Sequence, residues 1–345
     1  MKSKTFSDRI RRVYASCDVD ALIIEKPIDL YYLTGLNLSL GTLVITSKGG
    51  HLFVDGRYIE FAKKYAPCSV ELTTKDAVIK KLKSYKMIGF DSQETTYSRF
   101  EELKKLTTQS LTPIAQPTIS TRVVKSAEEL KLLKKSAQLL WKGFQYIKKK
   151  LKVGMTEEEA AKLFEIFCLE NGAAGMAFEP IFAFGKNSAY PHYRPGNVRL
   201  KKDDNVLIDI GVVVDHYNSD MTRTFFFGKP DPKLVPIHAT VKAAHDAALK
   251  ICKPGIKLGE LDKVATQVIR KAGFQRYMAH SLGHGVGLEI HEFPRLKYKG
   301  VDSDVRLEEG MVITIEPGLY WEGVGGCRYE DTIVVTKGGY ENWYP

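Results

Sequence analysis

The feature of this sequence that most restricts its fold is an internal repeat in the second half of the chain. Residues 151–172 and 252–273 align without a gap. Each segment reads as a glycine turn, then a helix, then a glycine stop. The aligned pairs include Gly154 with Gly255, Glu159 with Glu260, Leu163 with Val264, Phe167 with Val268, and Gly172 with Gly273. A repeat of this kind predicts two similar α/β halves that face each other across one centre.

Each repeated helix is followed by an apolar strand that holds a carboxylate. Asp209 lies in "VLIDIG" (206–211) and Glu316 lies in "VITIEPG" (312–318). An ionised carboxylate inside a buried strand is unfavourable unless it is paired or bound to a metal. Either residue alone is equally compatible with exposure at a strand end or with a helix cap. Two carboxylates at matching places in two repeats favour a shared site.

A second acidic residue follows each of these strands at a distance that suits a hairpin. Asp220 lies in "NSDMTRTFFF" and Glu330 lies in "CRYEDTIVVT", where the apolar residues that follow indicate returning strands. The two halves therefore predict four carboxylates near one centre.

Three histidines cluster in "AHSLGHGVGLEIHEFP" (279–294), after the second repeated helix. This segment holds His280, His284 and His291 among glycines that allow close approach of the backbone to a ligand. A lone histidine is more often a packed or surface residue than a ligand, but a cluster favours a functional site. The spacing differs from HExxH, which excludes a zincin helix.

Four carboxylates and one imidazole form a hard, oxygen-rich set of metal ligands. Such a set favours Mn²⁺ or Co²⁺, with Zn²⁺ or Fe²⁺ as alternatives. Five ligands are too many for one tetrahedral ion but suit two ions about 3.5–4 Å apart. A pair of ions bridges a water, lowers its pKa towards neutrality and polarises a carbonyl group.

The first part of the chain, residues 1–118, is predicted to be a separate α/β domain. Its strand patterns are "DALIIEK", "TLVITSKGGHLFVD" and "KMIGFD", and its clearest helix pattern is "YIEFAKKYA". Pro113 and Pro117 mark its end. Ser126 and Glu129 then form a capping-box pattern before an amphipathic helix, which opens a second domain over residues 119–345.

Charge and composition exclude several classes of function. The net charge of +10 comes largely from short lysine clusters on predicted helices, which indicates solvated faces rather than a nucleic-acid site. No apolar run is long enough to span a membrane, and the N-terminus lacks the apolar core of a secretory signal. Five scattered cysteines favour a reducing compartment, so we expect a cytoplasmic protein.

Taken in order, these motifs resemble the metallopeptidases of the pita-bread fold, in particular the Xaa-Pro dipeptidase (prolidase) and aminopeptidase P branch. The motifs are "FGKNSAYPHYRP" (184–195), "LIDIGVVVDHYNSDMTRTF" (207–225), "HSLGHGVGLEIHE" (280–292), "ITIEPGLY" (313–320) and "GGCRYEDT" (325–332). The first domain resembles the creatinase-type N-terminal domain of that family. The resemblance implies an α/β (α+β) protein in which a small creatinase-like domain precedes a pseudo-two-fold pita-bread catalytic domain.

The resemblance also implies a role for each site residue. Asp209 would bind one metal only, Asp220 and Glu330 would bridge both, and His284 and Glu316 would complete the other. His291 would hydrogen-bond the scissile carbonyl and its oxyanion. His192 and His280 would line the proline pocket, and Glu316 would also shuttle a proton to the leaving nitrogen. Arg295 would hold the C-terminal carboxylate of a dipeptide, and Arg328, also a candidate for substrate binding, would orient Glu330.

The implied reaction is hydrolysis of the peptide bond before proline by a hydroxide that bridges two divalent ions, most simply in Xaa-Pro dipeptides. The alternatives are an aminopeptidase P that acts on longer peptides and, from another class, a metal-free binding module of the same fold. Methionine aminopeptidase usually lacks the first domain, and creatinase lacks the metal ligands. A homodimer is the assembly that the family suggests. Cys327 replaces a usual aliphatic residue, which raises the question of whether activity is sensitive to oxidation.

Overall fold

The computed structural model describes residues 2–344, and the chain divides into two compact units, one ending at Arg122 and one beginning at Val123. The elements of the first unit are α1 Lys2–Ala15, β1 Ala21–Ile24, α2 Pro27–Thr34, β2 Thr42–Thr46, β3 Gly49–Val54, α3 Ile59–Tyr65, β4 Ser69–Leu72, α4 Lys75–Leu82, β5 Met87–Asp91, α5 Tyr97–Leu106, β6 Ser110–Ile114 and α6 Ile119–Arg122.

The strands of the first unit form one six-stranded sheet in the order β4-β3-β2-β1-β5-β6. Parallel pairing joins β1 to β5 and β5 to β6, while β1, β2 and β3 pair antiparallel. The apolar runs "ALII" and "TLVIT" supply the buried strands β1 and β2. This mixed sheet with helices between its strands is the predicted α/β domain.

The second unit contains more strands in smaller sheets. Its elements are α7 Ala127–Lys150, α8 Glu157–Glu170, β7 Gly175–Met176, β8 Ile181–Phe184, a 3₁₀ helix Gly185–Ala189, β9 Asn205–Ile210, β10 Val212–Val214, β11 Tyr217–Asn218, β12 Met221–Phe226, α9 Val235–Ile251, α10 Leu258–Lys271, a second 3₁₀ helix Gln275–Tyr277, β13 Gly283–Gly285, β14 Glu292–Leu296, β15 Val312–Ile315, β16 Gly318–Trp321, β17 Gly325–Arg328, β18 Asp331–Thr336 and β19 Gly339–Asn342.

The predicted repeat is present in three dimensions, because α8 and α10 begin in the same way. A glycine with positive φ precedes each helix, Gly154 at 89° and Gly255 at 86°. In each half, a later segment of the chain runs across the start of the helix. Backbone N–H groups at the start of the helix donate to carbonyl oxygens of that segment at corresponding positions. These bonds are Gly154 N to Leu200 O at 2.8 Å, Gly255 N to Leu307 O at 2.8 Å, Glu157 N to Val198 O at 3.1 Å and Leu258 N to Val305 O at 2.9 Å.

Both predicted hairpins form. Strand β9 pairs antiparallel with β12, and β15 pairs antiparallel with β18. Asp209 lies in β9, whereas Glu316 lies one residue beyond β15. Asp220 and Glu330 each lie one residue before the return strand. All four carboxylates therefore lie at corresponding ends of two similar hairpins.

The long helix α7 begins with the capping box that the sequence predicts, since Ser126 and Glu129 bond each other's backbone. Apolar side chains of α9 and α10 pack against the β13–β18 region as one buried cluster. No helix within residues 2–344 is long and apolar enough to cross a membrane.

Candidate metal centre

One cavity of about 390 Å³ collects every site residue that the sequence predicts. Its walls also include the apolar residues Phe178, Ile181 and Pro191. The predicted residues on the cavity wall are His192, Asp209, Asp220, His280, His284, His291, Arg295, Glu316, Arg328 and Glu330.

The centre of this cavity is a group of potential metal ligands. Ligand atoms of Asp220, His284 and Glu330 all lie within 4.8 Å of one another. The Nε2 atom of His284 is 3.6 Å from Oδ2 of Asp220 and 3.4 Å from Oε1 of Glu316. The two hairpins and β13 therefore bring together side chains more than a hundred residues apart in the chain.

The electrostatics of these carboxylates are unfavourable without a cation. Burial and the nearby Glu330 raise the pKa of both Asp220 and Glu316 well above the usual values. Burial and Asp209 raise the pKa of Glu330 to about 8. Desolvation of the buried carboxyl groups is the main cause of all three shifts, and repulsion between the like charges adds to it.

Asp209 adds an unsatisfied acceptor to this site. Its Oδ2 accepts from Arg328, but its buried Oδ1 has no hydrogen-bond partner among the described residues. A buried acceptor without a partner is costly. Divalent cations would satisfy this oxygen and offset the repulsion between the carboxylates, so the donor set fits a metal centre.

Burial favours the neutral form of two histidines on the wall, His280 and His284. Burial, together with the charge of Arg328, lowers the pKa of His280 to about 4. Burial and the neighbouring His291 lower the pKa of His284 to about 4. The Nδ1 atom of His284 lies 3.0 Å from the carbonyl oxygen of Gly285, to which the Nδ1–H donates. Its Nε2 lone pair therefore faces the carboxylates and is available to a metal.

Arg328 links several parts of the site. It is 4% exposed, and its guanidinium donates to Asp209 Oδ2 at 2.5 Å, to Thr222 Oγ1 at 3.0 Å and to the Tyr320 hydroxyl at 2.5 Å. The Thr222 hydroxyl in turn donates to Glu330 Oε2 at 2.7 Å. Arg328 thus holds Asp209 directly and Glu330 through one intermediate hydroxyl.

The side chains of Arg295 and His192 are more exposed than the carboxylates. Arg295 lies on β14, opposite His284 on β13. Within residues 2–344 no carboxylate forms an ion pair with Arg295, so its charge remains available at the cavity wall. His192 lies on an irregular segment between β8 and β9.

Sequence reasoning did not single out Thr222 and Tyr320. Thr222 lies opposite Asp209 in the β9–β12 register and two residues after Asp220, so strand alternation could have placed it on the same face. Tyr320 donates to Nε2 of His280 at 2.8 Å, a contact that no local pattern reveals.

Cys327 is 3% exposed, and burial raises its pKa to about 12. A buried, protonated thiol is unreactive. The structure therefore gives no support to oxidation sensitivity at this position.

Comparison with known proteins agrees with this geometry. The profile of Metallopeptidase family M24 matches residues 131–337, and that of the Creatinase/Prolidase N-terminal domain matches residues 7–124. A Xaa-Pro dipeptidase from Pyrococcus horikoshii is 37% identical over 339 residues, which cover 96% of this chain and 95% of the relative.

Solved structures are similar over almost the whole chain. A Xaa-Pro dipeptidase from Bacillus anthracis has a TM-score of 0.94 and 31% identity and covers 99% of this chain and 97% of its own. An X-Pro aminopeptidase from Thermotoga maritima has a TM-score of 0.89 and 30% identity and covers 98% of each chain. These similarities confirm the predicted fold class.

Proposed function

Because the chain belongs to metallopeptidase family M24 and carries a creatinase/prolidase N-terminal domain, we propose that it hydrolyses the peptide bond before proline in Xaa-Pro dipeptides. The observation that carries this proposal is the single cavity in which all five predicted metal ligands meet. The relative from Pyrococcus horikoshii, named a Xaa-Pro dipeptidase, supports the substrate class.

In this proposal two divalent ions would be held by Asp209, Asp220, His284, Glu316 and Glu330, and Asp220 and Glu330 would contribute to both. Mn²⁺ or Co²⁺ suits this oxygen-rich set best, and Zn²⁺ or Fe²⁺ is the alternative. When bound, the ions supply a nucleophilic water near neutral pH and polarise the scissile carbonyl.

The chain's own residues supply orientation and proton transfer. His291 hydrogen-bonds the scissile carbonyl oxygen and stabilises the charge that develops on it. Glu316 takes the proton of the attacking water and delivers it to the proline nitrogen, which has no hydrogen of its own. His192 and His280 border the proline ring, in a cavity that Phe178, Ile181 and Pro191 also line.

We assign Arg295 to the C-terminal carboxylate of the dipeptide, because its cation lies on the wall without an ion-pair partner among residues 2–344. We assign Arg328 to positioning rather than to substrate, because its guanidinium is already bonded to Asp209, Thr222 and Tyr320.

The second candidate function is aminopeptidase P activity, which the similarity to the Thermotoga maritima X-Pro aminopeptidase favours. A dipeptidase must recognise the carboxylate directly after proline, whereas an aminopeptidase must accept a continuing chain. A metal-free binding module would be expected to have lost ligands, and all four carboxylates and His284 are present in the cavity.

A paired assay tests both candidates. Xaa-Pro dipeptides and Xaa-Pro-Yaa tripeptides are compared after exhaustive chelation and again after addition of Mn²⁺, Co²⁺ or Zn²⁺. We expect hydrolysis of dipeptides that depends on added metal. Equal turnover of both lengths would remove the dipeptidase preference, and full activity after chelation would contradict the metal mechanism.

We also propose a cytoplasmic homodimer. Five free cysteines support a reducing compartment. The ring centroids of Phe61 and Tyr65 lie 4.9 Å apart with the ring planes tilted by 50°. The two residues are 50% and 54% exposed, and a partner subunit typically covers apolar surface of this kind. Sedimentation analysis should give twice the mass of one chain, and a monomeric mass would contradict the assembly.

A further inference from the structure

We propose that Glu157 is a positioning residue that fixes the loop carrying His192. This loop, called here the His192 loop, comprises residues 185–199, between β8 and the segment that crosses the start of α8. The inference rests on the proposed function only for the role of His192 in the reaction. The contacts that hold the loop are independent of that role.

The carboxylate of Glu157 is fully buried and accepts four hydrogen bonds. The donors lie at several points along the chain around the loop. They are Phe184 N at 2.8 Å, Asn187 Nδ2 at 2.9 Å, the Tyr193 hydroxyl at 2.8 Å and Gly196 N at 3.2 Å. One side chain therefore bonds the loop where it leaves β8, at its middle and where it returns to α8.

This carboxylate has no cationic partner among residues 2–344. The four donors bond its oxygens instead, and Glu157 lies at the N-terminus of α8 as the first residue of the helix. A buried carboxylate of this kind is unfavourable unless its donors are fixed in place. The arrangement therefore couples the order of the loop to the burial of Glu157.

The internal repeat provides a comparison within the same molecule. The residue that corresponds to Glu157 is Leu258, the first residue of α10, and it is also fully buried. The backbone N–H of Leu258 donates to the carbonyl oxygen of Val305, just as the backbone N–H of Glu157 donates to that of Val198. An apolar residue thus suffices to start this helix. The corresponding connection runs from β13 to Val305; it contains β14, which pairs with β13, and it contributes His291 and Arg295 to the cavity wall.

The neighbours of His192 show how this anchor reaches the cavity. The carbonyl oxygen of Pro191 accepts from Arg328 Nη1 at 3.4 Å, and the Tyr193 hydroxyl donates to Glu157. The Tyr193 ring also packs against the buried cluster of Ile181, Ala183, Leu207 and Tyr320. His192 is therefore held from both sides, although its own side chain is exposed.

The test uses Glu157→Leu, which installs the residue of the second repeat, and the milder Glu157→Gln. The matched control is Glu159→Gln in the same helical turn. Glu159 is exposed and caps the backbone of Thr156, a role that glutamine retains. Each variant is measured for kcat and KM on a Xaa-Pro dipeptide and for hydrogen exchange in the peptide spanning residues 184–198.

For both Glu157 variants we expect faster exchange in this peptide and a fall in kcat/KM of about 10- to 100-fold, because small misplacements near a reacting centre are costly. The control should behave like the wild type. In a His192→Ala background, Glu157→Gln should lower kcat/KM by about twofold or less, because the effects of two coupled residues are not additive. A similar loss in both backgrounds, or unchanged exchange, would overturn the proposal.

The exchange measurement does not depend on the substrate. In one outcome the wild-type protein fails to cleave Xaa-Pro peptides while Glu157→Gln still speeds hydrogen exchange in residues 184–198. That pair of results would refute the proposed function but would support the role of Glu157 in fixing the loop. If Glu157→Leu does not fold, kcat/KM and hydrogen exchange are measured for Glu157→Gln and Tyr193→Phe instead. Tyr193→Phe removes one of the four bonds and should give a smaller effect of the same sign.

Discussion

At the scale of single residues, the cavity holds more buried carboxyl groups than the neighbouring cations can stabilise in the ionised form. Four carboxylates face one another, and Arg328 is the buried arginine that bonds one of them directly. Asp209 keeps one oxygen without a partner among the described residues. Buried charges persist in proteins when they are paired or bound to metals, so these residues fit the metal dependence of the family.

Asp220→Ala and Glu330→Ala should each reduce kcat/KM by more than about 100-fold, since loss of an outer partner of a ligand alone costs about 10–100-fold. Calorimetric titration with Mn²⁺ should show fewer bound ions in both variants. Glu322→Ala, which changes an exposed acid near the same hairpin, is the control. Near-normal rates in either ligand variant would contradict the shared-ligand assignment.

Cys327 should not react with iodoacetamide in the native protein at pH 8. Its pKa of about 12 means that the thiolate forms only well above this pH, and the thiol is buried as well. Mass spectrometry of the alkylated protein tests this expectation. Modification of Cys327 with parallel loss of activity would show that the site opens to solvent.

At the scale of elements, β13 places His284 between two glycines that lie very close to neighbouring strands. A Cβ atom at Gly283 would collide with the carbonyl oxygen of Thr314, and one at Gly285 with that of Phe293. Neither glycine has a positive φ. Glycine is therefore required at these two positions because the neighbouring backbone packs closely against them, and not because of turn geometry. The glycines of the histidine cluster thus set how deeply His284 enters the cavity.

Gly283→Ala should therefore displace β13 and weaken metal binding. We expect the apparent affinity for Mn²⁺ to fall by about tenfold or more, in the range seen when ligand orientation is lost. Gly338→Ala is the matched control, because a Cβ atom there meets nothing within 4 Å. Equal affinity in the two variants would show that β13 adapts without moving His284.

The sequence predicted the elements that depend on local patterns, and the repeat pointed to the four carboxylates that line the cavity. The apolar strands around Asp209 and Glu316, the capping box of α7 and the paired glycines were readable because each signal lies within a few residues. Contacts such as Thr222 with Glu330, or Glu157 with Tyr193, join distant residues. They depend on strand register and loop path, which a single sequence does not specify.

At the scale of the whole molecule, the raised carboxyl pKa values link stability to pH when metal is absent. Glu330 has a pKa of about 8 in the folded chain, against about 4.3 when unfolded. Between these values the folded chain keeps a proton that the unfolded chain has released. Stability therefore falls as pH rises through this range, and the contribution is complete only below the unfolded pKa.

The melting temperature of the chelated protein should thus decrease from pH 5 to pH 8. Saturating Mn²⁺ should raise it at pH 8, because ligands that bind only the folded state stabilise it. In the chelated protein, Glu330→Gln should make the melting temperature less dependent on pH. A chelated wild-type protein that gains stability over this range would show that the carboxylates are not buried together.

The most direct test of the account is an anomalous-scattering map of a crystal of the Mn²⁺-loaded protein. We predict two peaks about 3.5–4 Å apart, with Asp220 and Glu330 contacting both and with Asp209, His284 and Glu316 completing the ligands. The absence of metal between these side chains, with Asp220, Glu316 and Glu330 protonated or paired to other groups, would contradict it.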